Sequence, residues 1–335
     1  MKQLFYLLSI FIISCGTNST DKVLVSNYGY TQGTTYSIRY MSPKGENHQK
    51  IIDQVLLKVD HSLSTYKEAS VISKINNNES MQTDSLFIDV FEMAVKIAKE
   101  TDGAFDPTIA PIVNFWGFGF EEIQNKDEKV HAGLMETVGY ESLSLKDCLL
   151  VKTHPKTQLD FNAIAQGYTV DLIAQELQKI GIRDYMIEVG GELICNGLNA
   201  EGQLWRIGID KPTEEIEEKR FQAIIEVDNK AVASSGNYRN FNVDEKNGEK
   251  YVHTIQPKSG KPIQSNLLSV TIVSESCIEA DAYATACMVM GLEESIAFID
   301  KKPELEALLI YSGPKGQWLK YQTEGFTEMC VYQDL

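Results

Sequence analysis

The chain has 335 residues, 43% of them hydrophobic, and a formal net charge of −16 at pH 7. That length allows one large domain or two, with an ample buried core. So acidic a balance excludes recognition of nucleic acid or anionic lipid through a basic patch, and a phosphate-bearing ligand would need help from a metal, backbone N–H groups or placed lysines.

In chain order, the first fourteen residues read as a leader. Lys2 is a positive n-region, Leu4 to Ile13 an apolar h-region, and Ser14-Cys15 a small-residue cleavage site. Ile12-Ile13-Ser14-Cys15 is similar to the bacterial lipobox, whose cysteine is lipidated as the first mature residue. Residues 15–22 are then a tether and residues 23–335 one domain, which two lobes could make up. A plain secretory signal with an incidental cysteine is the alternative. No other run approaches the roughly 18 apolar residues that span a bilayer. The expectation is therefore a soluble body, lipid-anchored through Cys15 on the periplasmic side of the inner membrane. Cys148, Cys195, Cys277, Cys287 and Cys330 form no CxxC and no disulfide framework, so they are expected to be buried small hydrophobes.

Tyr28 to Tyr40 reads as two strands around Gln32-Gly33. Ile51 to Leu63 reads as a helix with Ile52, Val55, Leu56, Val59 and Leu63 on one face. The loop LSTYKEAS displays Tyr66. A second helix is expected from about Ser85 to Lys99, with Ser85 as N-cap. Thr101 to Gly119 is rich in turn-formers and aromatics and reads as an ordered loop. After a polar helical stretch, Leu159 to Gly197 offers a loop, FNAIAQGY, then a helix closed by Gly181. The strand YMIEV follows and runs into Gly190-Gly191. Loop, helix start and glycine pair together could receive an anion, or could be ordinary core. Further strands are expected at Trp205–Asp210, Phe221–Val227, Ala231–Gly236, Leu267–Ser274, Leu305–Tyr311 and Trp318–Tyr321, with a helix from Glu279 to Met290. This order favours α+β, layered mixed sheets with packed helices, over a doubly wound sheet.

Two patterns carry chemistry. On the helix EADAYATACMVM, Asp281 and Thr285 lie at i and i+4 and share a face. Hard oxygen donors in that arrangement suit Mg²⁺. Equally, Asp281 could complement the helix dipole and Thr285 bond its own i−4 carbonyl. In YVHTIQPKSGKPI, His253 is expected on a strand before a Pro- and Gly-containing turn. There it could act as a base near neutral pH or as a structural hydrogen-bonder.

GTTYS, DGAFDP followed by WGFG, LDFNAIAQGY with an Asp three residues on, GG, SSGNY, HTIQPKSGKP and ADAYATA occur in this order. So arranged, the chain resembles the ApbE family, the FAD:protein FMN transferases, over nearly all of its expected mature length. The resemblance implies an ApbE-like, T-fold-related architecture. It also implies Mg²⁺-dependent cleavage of the FAD pyrophosphate, transfer of FMN to a Thr (or Ser) hydroxyl of an acceptor protein, and release of AMP. Carried over by position, it puts FAD contacts at Gln32, Tyr66, Ala104, Phe105, Asp106, Asp160, Gln166 and Ile255. It puts the metal on the Ala163 main-chain oxygen with Asp281 and Thr285, and makes His253 the candidate base. The acceptors it implies are flavin-carrying subunits of sodium-pumping NADH:quinone reductase or Rnf-type complexes. Three departures stand out: Gln32 for a usual Met, Gln166 for a frequent Lys, and Gln256 for the Asp of HxxDP. The competing readings are an FAD pyrophosphatase on the same scaffold and a non-enzymatic flavin-binding lipoprotein.

Overall fold

A computed structural model describes residues 22–121, 123, 127–213, 220–237, 241–243 and 250–334. The leader, Cys15 and all of the tether but its last residue lie outside the described residues. Strands β1 (Val23–Thr31) and β2 (Thr34–Ser42) form a hairpin. Its turn residues Gln32 and Gly33 have φ of 50° and 76°, the left-handed pair that matches strand twist in a two-residue turn. Helix α1 (Gln49–Leu63) buries the expected face, and α2 (Val71–Asn76) follows it. In α3 (Ser85–Glu100) the N-cap is Asp84 rather than Ser85; its carboxylate accepts from the Phe87 N–H at 2.8 Å. The stretch expected to be loop from Thr101 to Gly119 contains a helix, α4 (Ala110–Trp116). Pro111 fits its first turn and Gly117 (φ 81°) ends it, and two turns are too few for periodicity to show.

The chain continues through α5 (Glu128–Met135), the hairpin β3 (Leu143–Lys146) and β4 (Leu149–Lys152), and α6 (Ala165–Lys179). Next come β5 (Tyr185–Val189), β6 (Glu192–Asn196), β7 (Trp205–Asp210), β8 (Phe221–Val227) and β9 (Lys230–Gly236). Four short strands follow, β10 (Phe241–Val243), β11 (Lys250–Val252), β12 (Ile255–Gln256) and β13 (Lys261–Pro262). The remainder is β14 (Leu267–Ser274), α7 (Cys277–Met290), α8 (Leu292–Ile299), β15 (Glu306–Ser312), β16 (Trp318–Gln322), α9 (Glu324–Met329) and β17 (Cys330–Gln333).

The central sheet runs β1-β2-β5-β6-β9-β14-β15-β16, and its strand pairs are antiparallel rather than mixed. Successive side chains of a strand face opposite ways, and the sheet uses both faces. Ile194, Ala231, Ala233, Ala307 and Leu309 join the core under the helices. Their neighbours Leu193, Cys195, Val232, Leu308 and Ile310 pack against the three-stranded sheet β17-β8-β7 and Phe326 of α9. The architecture is α+β. Among the described residues no helix is long and apolar enough to cross a membrane. Cys195, Cys277 and Cys287 are buried as expected; Cys148 is exposed, because it sits with Asp147 in the left-handed turn of the β3–β4 hairpin.

Candidate active site

The site grows from the crossing of α6 and α7. Helix α6 starts at Ala165, more than a turn earlier than the loop reading of FNAIAQGY allowed, so Gln166 and Gly167 occupy its first turn. The Gly167 N–H, free at a helix start, donates to Asp281 Oδ2 at 3.0 Å. A Cβ on Gly167 would lie 2.3 Å from the Cys277 carbonyl oxygen, so glycine is what lets the two helices come this close. One turn along α6, Asp171 accepts from the N–H groups of Cys277 and Ile278, both at 2.9 Å. It thus caps α7 from outside, where Ser276 supplies no side-chain cap. Helix α7 is enclosed on most sides: Ala280, Ala282, Ala284 and Ala286 are all buried, in the same core as Ala231 and Ala233 of the sheet.

This arrangement buries charge. Asp281 is 7% exposed. Burial, with a smaller push from Asp171, raises its pKa to about 7 against the Gly167 hydrogen bond; burial likewise raises Asp171 to about 6. Thr285 is half-buried on the same face, and among the described residues its hydroxyl has no i−4 carbonyl partner.

Asp281 and Thr285 open onto a cleft of about 810 Å³. Its lining also brings together Ala104, Phe105, Asp106, Asp160, Ala163, Gln166, His253 and Ile255, residues spread over 150 positions of sequence. A second chamber of about 880 Å³ holds Gln32 and Tyr66, and Asn162 and Gln166 belong to the walls of both. The nine expected FAD and base positions are therefore split between two adjoining spaces. Burial and the charge of Asp160 raise the pKa of the Tyr66 phenol, which places the two groups within electrostatic reach across the divide.

Individual side chains qualify the expectations. Gln32 donates from Nε2 to Thr169 Oγ1 at 2.7 Å, which fixes the hairpin turn to α6. Asp106 has both oxygens engaged, Oδ1 by the Thr108 N–H and hydroxyl and Oδ2 by the Tyr140 N–H. Asp160 Oδ1 accepts from the Asn162 N–H at 2.7 Å, and its own N–H donates to the Pro107 carbonyl. His253 lies in a bend between β11 and β12, not on a strand, and its ring stands edge-on to Phe118 with centroids 6.4 Å apart. The turn after it is held by the Gly260 carbonyl, which accepts from Trp116 Nε1–H and from His131 Nε2, each at 2.8 Å. Gln256 turns to other depressions beside the cleft, and its Oε1 accepts from the Lys258 N–H. Gln256 is not among the residues that line the cleft with His253.

Sequence reasoning missed Glu192, Asn162 and the capping role of Asp171. Each had a signal: an acid directly after the Gly190-Gly191 turn, an Asn inside the loop itself, and the Asp three residues after GY.

A family model, described as the ApbE family, matches residues 32–309. The chain belongs to the ApbE family. It is 36% identical to the FAD:protein FMN transferase of Vibrio cholerae serotype O1 over 96% of both chains. With that of Haemophilus influenzae it is 34% identical, over 86% of this chain and 87% of the relative. Among solved structures, the flavin transferase ApbE from Vibrio cholerae superposes with a TM-score of 0.82 at 34% identity, covering 92% of this chain and 99% of that one. The apo form of the Pseudomonas stutzeri flavinyl transferase ApbE gives 0.81 at 30%, covering 92% and 97%.

The cleft's chemistry bears on a metal. Its described lining holds four acids, Asp106, Asp160, Glu192 and Asp281, and no lysine or arginine. Such a surface repels a pyrophosphate unless a cation intervenes. Among the described residues no three His, Cys, Asp or Glu side chains converge as a cluster. The donors are hard oxygens of mixed type, carboxylate, hydroxyl and main-chain carbonyl, as Mg²⁺ prefers when waters and substrate phosphates complete its shell. The residues present fit that ion.

Proposed function

We propose that this chain is an FAD:protein FMN transferase, which moves FMN from FAD to a Thr (or Ser) hydroxyl of an acceptor protein and releases AMP. The observation that carries this reading is the acid-lined, lysine-free cleft with oxygen donors at Ala163, Asp281 and Thr285, in a chain of this family. The isoalloxazine and adenosine ends of FAD divide between the two chambers, with Asn162 and Gln166 at the partition. The Ala163 carbonyl and the side chains of Asp281 and Thr285 would hold Mg²⁺, which would supply neutralisation of phosphate charge. The chain's own part is positioning, on which phosphoryl transfer chiefly depends. The acceptor oxygen forms a bond to the FMN-side phosphorus as the bridging P–O bond breaks toward AMP, and His253 takes the hydroxyl proton.

By the same reading the chain is lipidated at Cys15 after removal of residues 1–14 and carries residues 23–335 as one transferase domain outside the cytoplasm. Its acceptors are flavin-carrying subunits of sodium-pumping NADH:quinone reductase or Rnf-type complexes at that membrane. Mass spectrometry of an acceptor peptide incubated with the protein, FAD and Mg²⁺ is expected to show one added FMN on Thr, with AMP in equal amount. Release of FMN and AMP at the same rate without acceptor would instead make the chain a pyrophosphatase.

A further inference from the structure

Glu192 is the first residue of β6, directly after the Gly190-Gly191 turn. Strand alternation points it with Ile194 toward the helices, whereas Leu193 and Cys195 enter the backing core. The side chain is 8% exposed, and its Oε2 has no hydrogen-bond partner. It lines the cleft with Asp281, Thr285 and Ser234. Burial raises its proton affinity first, and the charge of Asp281 adds to this.

A buried carboxylate with one oxygen left unpaired is costly, even though its own backbone N–H serves the carboxylate, and the nearby charge of a second buried carboxylate adds to the cost. An apolar side chain at this position would continue the core made by Ile194, Ala231 and Cys277. The acid therefore has no packing reason to be there. What turns two such carboxylates from a liability into a site is a cation between them, and no lysine or arginine among the described lining residues provides one.

We propose that Glu192 is the second carboxylate of the cation site, acting on the ion or its bound water opposite Asp281 and setting the site's affinity for a divalent metal. This rests on the metal reading given above and adds to it a residue that reading does not use. It makes Glu192 a ligand or positioning group for the ion, with a contribution measurable without any turnover.

The test is Mn²⁺ binding to the whole protein without FAD, followed by the paramagnetic signal of free Mn²⁺ and by thermal melting with and without the ion. Wild type, Glu192→Gln and Asp281→Asn are compared, with Glu192→Asp as the charge-retaining control. Glu192→Gln is expected to weaken Mn²⁺ binding about tenfold or more, as loss of a metal-supporting group does. It is also expected to raise the melting temperature of the metal-free protein, because a buried charge is gone, and to shrink the stabilisation by Mn²⁺. Glu192→Asp should keep most of the affinity. If Glu192→Gln fails to fold, the same Mn²⁺ titration on Glu192→Met, a neutral side chain of similar length that suits the apolar neighbours, decides: binding weakened about tenfold supports the proposal, and unchanged binding overturns it. Wild-type Mn²⁺ affinity in Glu192→Gln alongside loss in Asp281→Asn would overturn the role of Glu192 and leave the metal reading standing. No Mn²⁺ binding by wild type, or full binding in Asp281→Asn, would overturn both.

Discussion

The two faces of the central sheet do opposite kinds of work with the same strands. On one, Leu193, Cys195, Val232, Leu308 and Ile310 meet the three-stranded sheet in an apolar layer. On the other, β6 and β9 run beneath α7, and there Glu192 and Asp281 are buried and Asp171 is half-buried, beside a core that holds Ile194 and Ala233. The backing face holds the fold by ordinary burial. The helical face gives up part of that stability to keep carboxylates out of water, which is the usual relation between a site and its scaffold.

That contrast can be broken in graded ways. Asp281→Asn should lower FMN transfer by a factor on the order of 1,000 while leaving a folded protein, since it removes the carboxylate charge that α7 presents to the cleft; a circular-dichroism melt run beside the flavinylation assay separates the two effects. Gly167→Ala comes next. Its Cβ meets the Cys277 carbonyl, so the helices must part, with about 1–3 kcal/mol of stability lost. Transfer should fall by roughly 100-fold as Asp281 moves off position. Ile225→Ala, fully buried on the backing face, should cost about 2–5 kcal/mol in denaturant unfolding yet leave the rate of transfer unchanged well below its melting point. Were its rate to fall with its stability, the two faces would not be independent.

A smaller effect is the dependence of stability on pH. Asp171 and Asp281 titrate at about 6 and about 7 in the fold against roughly 3.9 unfolded, so the folded state binds their protons more tightly. Their contribution is fully present below about pH 4 and lost as pH rises through 6 to 7. The metal-free protein should therefore melt at progressively lower temperature from about pH 4 to 7, and Asp281→Asn should flatten the upper part of that slope. A melting temperature that climbs across this window would mean that the acids are already compensated. Smallest of all, Gln256→Asp should change transfer by less than about twofold, because that side chain lies outside the cleft; a large gain would show that position 256 reaches His253.

How much of this was legible differs by element. The helix over Ile52 to Leu63 and the hairpin at Gln32-Gly33 were readable because a repeating apolar face and a turn dipeptide are local signals. The helix Ala110–Trp116 was not, since two turns show no period and Pro, Gly and aromatics around it read as loop. At the site, the order of motifs named the residues, but it could not say that Gln32 and Tyr66 sit in a separate chamber. Glu192 escaped because its environment depends on where α7 crosses β6 and β9, which no spacing along the chain encodes. Asp84 in place of Ser85 as N-cap is a one-residue choice between two good cappers.

The close approach at Gly167 has a consequence for how the enzyme can vary. With the Cys277 carbonyl already at the limit of contact and Asp171 tying down the end of α7, the wall bearing Ala163 and Asp281 behaves as the fixed jaw of a vice. The opposing jaw, residues 104–118 and 253–260, is held by turns and the short helix α4 clasped at the Gly260 carbonyl, and it can be reshaped without disturbing Ala163, Asp281 or Thr285. Sequence change is cheap in that jaw and expensive in this one.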